Sequence, residues 1–329
     1  DYEYKETDSF EKMAEALRES HTSVAVMLNH EGFPTKPELE RLQSLTPSTT
    51  LLPGAEINVF VDALFKKVAK DHFFHAVVVA DPTSDWGYLL AKSKEKLSIR
   101  GHEYPSGYDS SIRDVAEFFT AEGALFIPAH LHQSKPPHTS RSIDDIYEDG
   151  TFLELVASGA FSALEVREVE TAKFFDGARS TNDGLHIPQA VCVRSSDAHH
   201  HQHVIERNRC TWIQMEDRSF EELRASLSFK HRIALAKPAF HYNHVVAIHI
   251  VGSFIPEEWV AFNPSLNCLI GAKGSGKTSV LECLRFVLNT HVPRERSESV
   301  GAHLHHILGP AGYVECLVKR ADGTEVLIV

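Results

Sequence analysis

Gly271-Ala272-Lys273-Gly274-Ser275-Gly276-Lys277-Thr278 fits G-x-x-x-x-G-K-[ST], the pattern of a loop that wraps phosphate oxygens. Its surroundings supply the context the pattern needs. Leu266-Asn267-Cys268-Leu269-Ile270 reads as a short buried strand, and Val280, Leu281, Leu284, Val287 and Leu288 recur at the spacing of one helix face. Strand, glycine loop and helix in that order predict an α/β nucleotide site. Gly271, Gly274 and Gly276 let backbone N–H groups curl round phosphate, and Lys277 reaches the β- and γ-phosphates. The Thr278 hydroxyl ligates Mg²⁺ with Ser279 beside it, and the helix N-terminus adds partial positive charge. ATP with Mg²⁺ is the expected cofactor.

Composition bounds what surrounds that loop. The chain has 329 residues, 43% hydrophobic and 24% charged, enough for two domains or one large barrel. No apolar run approaches the roughly 20 residues that span a bilayer, and Asp1-Tyr2-Glu3-Tyr4-Lys5-Glu6 is no signal peptide, so no membrane segment is expected. The chain does not open on Met, and its natural N-terminus is expected further upstream. Five widely spaced cysteines (Cys192, Cys210, Cys268, Cys283, Cys316) predict reduced thiols in a cytoplasmic protein. A net charge of −12 would repel nucleic acid if spread evenly, so any such contact needs a local basic patch. The 21 histidines, many beside carboxylates, point towards metal.

Residues 1–235 alternate apolar runs with helical patterns, the rhythm of parallel strands joined by helices. Strands are expected at Val24–Leu28, Thr50–Leu52, His75–Ala80, Ala124–Ile127, Ala163–Val166, Ala190–Val193 and Cys210–Gln214. Helices are expected at Ser9–Ser20, Pro37–Leu45, Ile112–Ala121, Ser142–Ser158 and Ser219–Ser228, with Lys230–Tyr242 as a connection. Residues 236–329 form a second unit, with strands at Val245–Val251 and Trp259–Phe262, the glycine loop, and a hairpin turning at Asp322-Gly323.

In the first unit the polar residues of interest follow apolar strands. His30 follows Val24–Leu28, Glu56 follows Leu51-Leu52, His130 and His132 follow Leu125–Ile127, and Asp197 with His199 follow Ala190–Val193. In a parallel barrel such positions converge on one face. Imidazoles and carboxylates together make a nitrogen and oxygen site suited to Zn²⁺, Mn²⁺ or Fe²⁺. His132 and His30 read equally as ligands or as groups that orient a ligand. Glu165 reads equally as a metal or substrate contact and as a salt-bridge partner. His200, His201 and His203 read as solvated neighbours, and His138, His303, His305 and His306 as surface or structural.

Pro53-Gly54-Ala55-Glu56, Ile127-Pro128-Ala129-His130 and Ser196-Asp197-Ala198-His199 resemble three successive motifs of the polymerase and histidinol phosphatase (PHP) domain, a distorted (β/α)7 barrel of metal-dependent phosphoesterases. The resemblance covers about residues 1–235. It implies Glu56 as a bridging metal ligand, His130 as a ligand, and Asp197 and His199 as the closing pair, with His75 and His30 as further ligands. On the same grounds Asp197, His199, His130 and Glu56 are the expected catalytic residues. The family's opening His-x-His has no counterpart, and Leu28-Asn29-His30 stands where the family often has Thr-Asp-His. With a P-loop downstream, the order of parts is similar to the TrlF-like PHP proteins, in which the barrel precedes an ATPase of the SMC/Rad50/ABC type. Residues 236–329 then correspond to the N-terminal portion of that ATPase.

The resemblance implies an ATP-regulated, metal-dependent phosphoesterase, a nuclease on DNA or RNA in phage defence or DNA maintenance, working as a homodimer or larger assembly. Two other readings stand beside it. In one the barrel is a degenerate scaffold on an SMC-like DNA-binding ATPase, as Asn29 and the absent His-x-His suggest. In the other the substrate is a small nucleotide-type phosphate monoester.

Overall fold

The computed structural model describes residues 9–30, 32–60, 73–101, 106–131, 150–181, 184–206, 209–238, 242–264, 266–290 and 294–329. The fold is mixed α/β, in two compact units, Asp1–Lys237 and Pro238–Val329. No helix among the described residues is long and apolar enough to cross a membrane. All five cysteines are free.

In the first unit the Ser9 hydroxyl caps α1 (Phe10–Glu19), which leads into β1 (Val24–His30). Thr35 and Glu38 form a reciprocal capping box at the start of α2 (Lys36–Leu45), with Pro37 in its first turn. Then come β2 (Thr50–Phe60), β3 (Phe73–Val79), α3 (Trp86–Lys96), β4 (Ile99–Arg100), β5 (Gly107–Tyr108), α4 (Ile112–Ala121), β6 (Leu125–Pro128), α5 (Gly150–Ala157) and β7 (Leu164–Glu165). The unit continues with α6 (Val169–Phe174), β8 (Cys192–Val193), α7 (His201–Glu206), β9 (Trp212–Ile213), α8 (Phe220–Ser226) and β10 (Ile233–Ala234). Of the helix expected over 142–158, the first part lies outside the described residues.

The main sheet has the order β4-β5-β2-β3-β6 with β1 also on β2, and it curls into a half-barrel. The parallel pair β7–β8 extends it through a Leu131–Val166 bridge. The rhythm of the sequence predicts parallel strands throughout; instead β2–β3 and β3–β6 are antiparallel. The reason lies in β2, which continues through Pro53-Gly54-Ala55-Glu56 to Phe60 rather than stopping at Leu52. The chain therefore leaves β2 at the far rim and re-enters from that rim. Part of the expected connection after Lys230 is also strand, since β10 pairs antiparallel with β9.

Strand alternation sorts the side chains onto two faces. Leu51, Ala55, Ile57, Ala76, Val78, Phe126, Leu164 and Cys192 join the main core with α1 to α5. Leu52, Val79, Leu125, Ile127 and Ala163 point the other way, into a smaller core with Phe220, Leu223 and Leu227, and Val24, Val26, Val77, Val191 and Val193 pack against it. Gly54 lies on this concave face because nothing larger fits. A Cβ there would meet Val26 Cγ1 at 2.5 Å, Leu28 Cδ2 at 2.6 Å and the Val78 carbonyl at 3.3 Å.

The second unit is an antiparallel sheet, β12 (Glu258–Ala261), β11 (His244–Val251), β13 (Tyr313–Lys319) and β14 (Glu325–Ile328) in that order, with helices α9 (Lys277–Val287) and α10 (Arg294–Leu308). Ile248, Ile250, Cys283, Ile307, Leu308 and Val314 form its core, with Val280, Leu284 and Val287 against them. Leu281, expected on that buried face, is 50% exposed, and Cys283 takes its place.

Leu266–Ile270, expected as a buried strand, is neither: Leu266 is 83% and Ile270 92% exposed, without strand structure. β11 already has a partner on each side, and among the described residues this segment pairs with neither edge strand of the sheet. The Asn263 N–H donates to Asn267 Oδ1 at 2.9 Å and the Asn267 amide donates to the Asn263 carbonyl at 2.8 Å, closing the stretch into a loop.

His249 stands on the sheet face opposite that core. Its ring stacks on Trp259 at 4.0 Å, with Nδ1 2.9 Å from Glu315 Oε2 and Nε2 3.3 Å from Glu257 Oε1. It is covered by an exposed tryptophan rather than sunk in the core. The bond to Glu315, helped by Glu257 and opposed by burial, raises its pKa above the ordinary 6.5. A raised folded pKa gives stability that is complete below about 6.5 and lost as pH rises through the folded value. Amide exchange across β11 and β13 is therefore expected to speed up from pH 6 to pH 9 beyond the intrinsic pH effect. In His249→Gln that excess should vanish; an identical excess there would remove His249 as its cause.

Candidate functional site

The alternation that builds the smaller core also builds a polar rim. On β1 the concave positions run Val24, Val26, Leu28, His30; on β2 they run Leu52, Gly54, Glu56; Ala163, just before β7, precedes Glu165 at its end. Strand β3 runs the other way, so Val79 lies at the apolar end and His75 at the polar one, opposite Asn58 and one step from Glu56. One end of the half-barrel is thus plugged by α8, and the other carries His30, Glu56, His75 and Glu165.

Glu56, 9% exposed, is the hub. Its Oε1 lies 2.7 Å from His75 Nδ1 and 3.6 Å from His130 Nε2, and its Oε2 lies 3.9 Å from His30 Nδ1, on the residue directly opposite in β1. His130 turns its other nitrogen, Nδ1, to Glu165 Oε2 at 3.2 Å. Asp197 Oδ1 is 3.5 Å from His199 Nε2, and the His199 ring lies parallel to that of His30 with centroids 6.3 Å apart. Beyond His199, whose backbone N–H donates to His203 Nδ1, His201 and His203 belong to α7. His132 and His138 lie outside the described residues.

Burial and charge oppose each other here. Burial alone would raise the Glu56 pKa, but the imidazoles of His130 and His75 beside it outweigh burial and hold the carboxyl well below the usual range. Glu165 is lowered in the same way, against burial, chiefly by His130. For His130 burial favours the neutral ring, yet the two carboxylates win and push it up to about 10. Paired acids and a base with displaced proton affinities in one spot are the usual mark of a functional site.

Backbone strain marks the same place. Among the described residues the non-glycine ones with left-handed φ are His21, His130, Asp197 and Asn289. His130 at 60° and Asp197 at 47° are thus both residues singled out from the motifs. Such conformations cost roughly 1–3 kcal/mol each and persist where the surroundings over-determine them.

The donor chemistry suits a divalent ion. His75 Nδ1 is buried without a hydrogen-bond partner although Glu56 Oε1 is 2.7 Å away: the distance is right and the angle is not. A cation shared by a neutral imidazole and a carboxylate would satisfy both. As the side chains stand, no group of three or more His, Cys, Asp or Glu among the described residues is arranged so that it could hold a metal ion. Sequence reasoning left Glu165 undecided and missed Ser195, whose hydroxyl donates to Glu165 Oε1 at 3.0 Å. The alternation Ala163, Glu165 was the signal that could have found the former. A separate cleft of about 390 Å³, lined by Asp81, Tyr88, Lys92, Glu122 and Arg224 among others, lies where β3 ends and β6 begins, away from this rim.

In the second unit Gly274 and Gly276 have φ of 87° and 88°, which lets the loop turn tightly into α9. Gly276 caps that helix without a side chain, leaving its first N–H groups for an anion. Lys277 folds back over the loop, its Nζ donating to the carbonyls of Gly271 and Ala272, each at 2.7 Å, and to Ser275 Oγ at 3.2 Å. Thr278 is exposed at the helix start. Ser279, expected beside the phosphates, is instead 4% exposed, with its hydroxyl 3.4 Å from His303 Nε2 on α10. Helical spacing turns residue 279 away from the cradle that 277 and 278 face.

Compared with known proteins, residues 246–327 match the family model described as an AAA domain. The chain is also similar to the crystal structure of the novel lesion-specific endonuclease PfuEndoQ from Pyrococcus furiosus, with 16% identity and a TM-score of 0.42 over 74% of this chain. It spans 59% of the length of that chain. Among curated proteins none matches.

Proposed function

We propose that residues 1–235 are a PHP-type metal-dependent phosphoesterase acting on nucleic acid, and that residues 236–329 are part of a P-loop ATPase of the ABC/SMC type that places it under nucleotide control. The observation that carries the first half is the meeting of His30, Glu56, His75 and His130 at one rim, with His130 and Asp197 both in strained backbone. The match of residues 246–327 to the AAA domain family supports the second.

Glu56, His75 and His130 would hold a divalent ion of the Zn²⁺, Mn²⁺ or Fe²⁺ type, with Asp197, His199 and His30 as further ligands. Such an ion supplies Lewis acidity and a bound water acidic enough to attack phosphorus near neutral pH. Glu56 would bring the negative charge that favours the cation, and His130 would offer it Nε2, the nitrogen that faces Glu56. Asp197 and His199, less buried and paired with each other, would serve as the proton acceptors of the reaction. In the second unit the loop amides, Lys277 and Thr278 would hold ATP with Mg²⁺, and a homodimer fits an ATPase of this class.

A second reading, a scaffold barrel on a DNA-binding ATPase, is favoured by Asn29 and by donors that contact one another rather than forming a finished cage. Cleavage of labelled single- and double-stranded DNA and RNA by the whole chain, with Mn²⁺ and with or without ATP, separates the two. Native protein is expected to cut polymer, and Asp197→Ala to cut at least about a hundredfold more slowly, the lower range for losing a general acid or base. Mn²⁺ binding without any cut polymer would turn the reading to small phosphate monoesters. Failure to bind Mn²⁺ would leave the scaffold.

A further inference from the structure

We infer that Glu165 is the residue that positions His130, and that through Ser195 it locks the His130 turn to the turn carrying Asp197 and His199. The inference rests on the metal-site reading above and assigns a role to a residue outside the three motifs.

Glu165 ends β7 and is 5% exposed. A carboxylate so deep needs partners for both oxygens, and each has a specific one. Oε2 accepts from the backbone N–H of His130 and lies 3.2 Å from Nδ1 of the same residue. Oε1 accepts from the Ser195 hydroxyl at 3.0 Å. The main chain follows the same path, since the Leu131 N–H donates to the Glu165 carbonyl at 3.0 Å and Leu131 bridges to Val166.

Three consequences follow for His130. Its left-handed backbone turns the N–H inward, where a carboxylate meets it, so Glu165 stabilises a conformation that a non-glycine residue otherwise avoids. Contact from Nδ1 to Glu165 fixes the ring rotation. With Nδ1 so engaged, Nε2 is the atom left facing Glu56 Oε1, 3.6 Å away. An imidazole that presents one nitrogen to an ion and gives the other to a carboxylate is held in one orientation, and losing that partner typically costs about 10- to 100-fold in metal affinity. Ser195 extends the hold: it stands two residues before Asp197, so one buried side chain ties together both strained turns.

The test is Co²⁺ titration of the whole chain, native, Glu165→Gln and Ser195→Ala, followed by calorimetry and by the visible spectrum of the bound ion, with thermal melts to establish the folded fraction. Glu165→Gln keeps the shape and loses the charge. It is expected to bind Co²⁺ about 10- to 100-fold more weakly at unchanged stoichiometry, with Ser195→Ala weakened less and in the same direction. Affinity equal to native in folded Glu165→Gln would overturn the inference, and so would loss of a whole equivalent of Co²⁺, which would make Glu165 a ligand.

If native protein binds no Co²⁺, the metal reading fails, and the positioning is still decided by the ring proton on His130 Nδ1 in the metal-free protein. Sheltered by Glu165, that proton is expected as a slowly exchanging NMR signal that exchanges faster in Glu165→Gln. Equal exchange in both would overturn the positioning role.

Discussion

Glu56→Ala is expected to destabilise the first unit by about 3–5 kcal/mol, the range for removing one partner of a buried ion pair, and to abolish divalent-ion binding in the same step. Glu56 is the common neighbour of His75, His130 and His30. Without it, among the described residues, His130 keeps Glu165 as its carboxylate partner and His75 loses the carboxylate beside its buried Nδ1. Urea denaturation of the metal-free chain reads the first effect, and ion titration the second. Glu56→Gln separates them: it keeps the volume in β2 and should recover part of the stability but none of the ion binding. Should Glu56→Ala unfold at the native urea concentration, the network would be surface decoration rather than the closing layer of the half-barrel.

The same groups set a pH window. Glu56 and Glu165 have folded pKa values below the ordinary 4.5, so their stabilisation is present above about 4.5 and lost as pH falls through the depressed values. His130 is raised, so its share is complete below about 6.5 and lost as pH rises through about 10. The metal-free first unit should therefore be most stable between roughly pH 5 and pH 6.5, losing stability below that range and progressively from about 6.5 up to about 10 above it. In Glu56→Ala both shoulders should shrink, because the acid limb loses one carboxylate and the basic limb one of the two partners of His130.

Much of this arrangement was legible in the sequence, and the misreadings have physical causes. Hydrophobic alternation located the strands and put His30, His130 and the Asp197–His199 pair at or just past their ends, because a residue's face is a local property, whereas Glu56, expected after a strand, lies inside β2. Strand direction is not local. Nothing between Leu52 and Phe73 says that β2 runs on to Phe60 and that β3 returns beside it, so a parallel barrel was expected where the sheet is mixed. Glu165 was undecided for a related reason: a glutamate at a strand end says nothing of its partners, which come from residues 130 and 195. Leu266–Ile270 was misread because apolarity alone cannot supply a ladder, and Asn263 and Asn267 close the segment on itself.

Lys277→Ala is expected to weaken ATP binding by roughly 10- to 150-fold, the equivalent of the about 1.5–3 kcal/mol that a hydrogen bond to a charged group contributes. The effect falls short of a bare charge–charge attraction because the lysine does not arrive from water. In the free chain its Nζ donates to the carbonyls of Gly271 and Ala272 and to Ser275 Oγ, and it must exchange those bonds for phosphate oxygens. The bonds are local, spanning at most six residues, and exposed, so their loss should change unfolding by no more than about 0.5 kcal/mol. Thr278→Ala gives the independent check: it removes an exposed hydroxyl and should weaken Mg²⁺-ATP while leaving ATP in chelator unchanged. Lys277→Arg should not restore binding, since a planar guanidinium does not replace a compact ammonium inside a glycine loop. Native-like ATP affinity in Lys277→Ala would reduce residues 271–278 to a glycine turn before an ordinary helix, and nucleotide control would then have no seat in this chain.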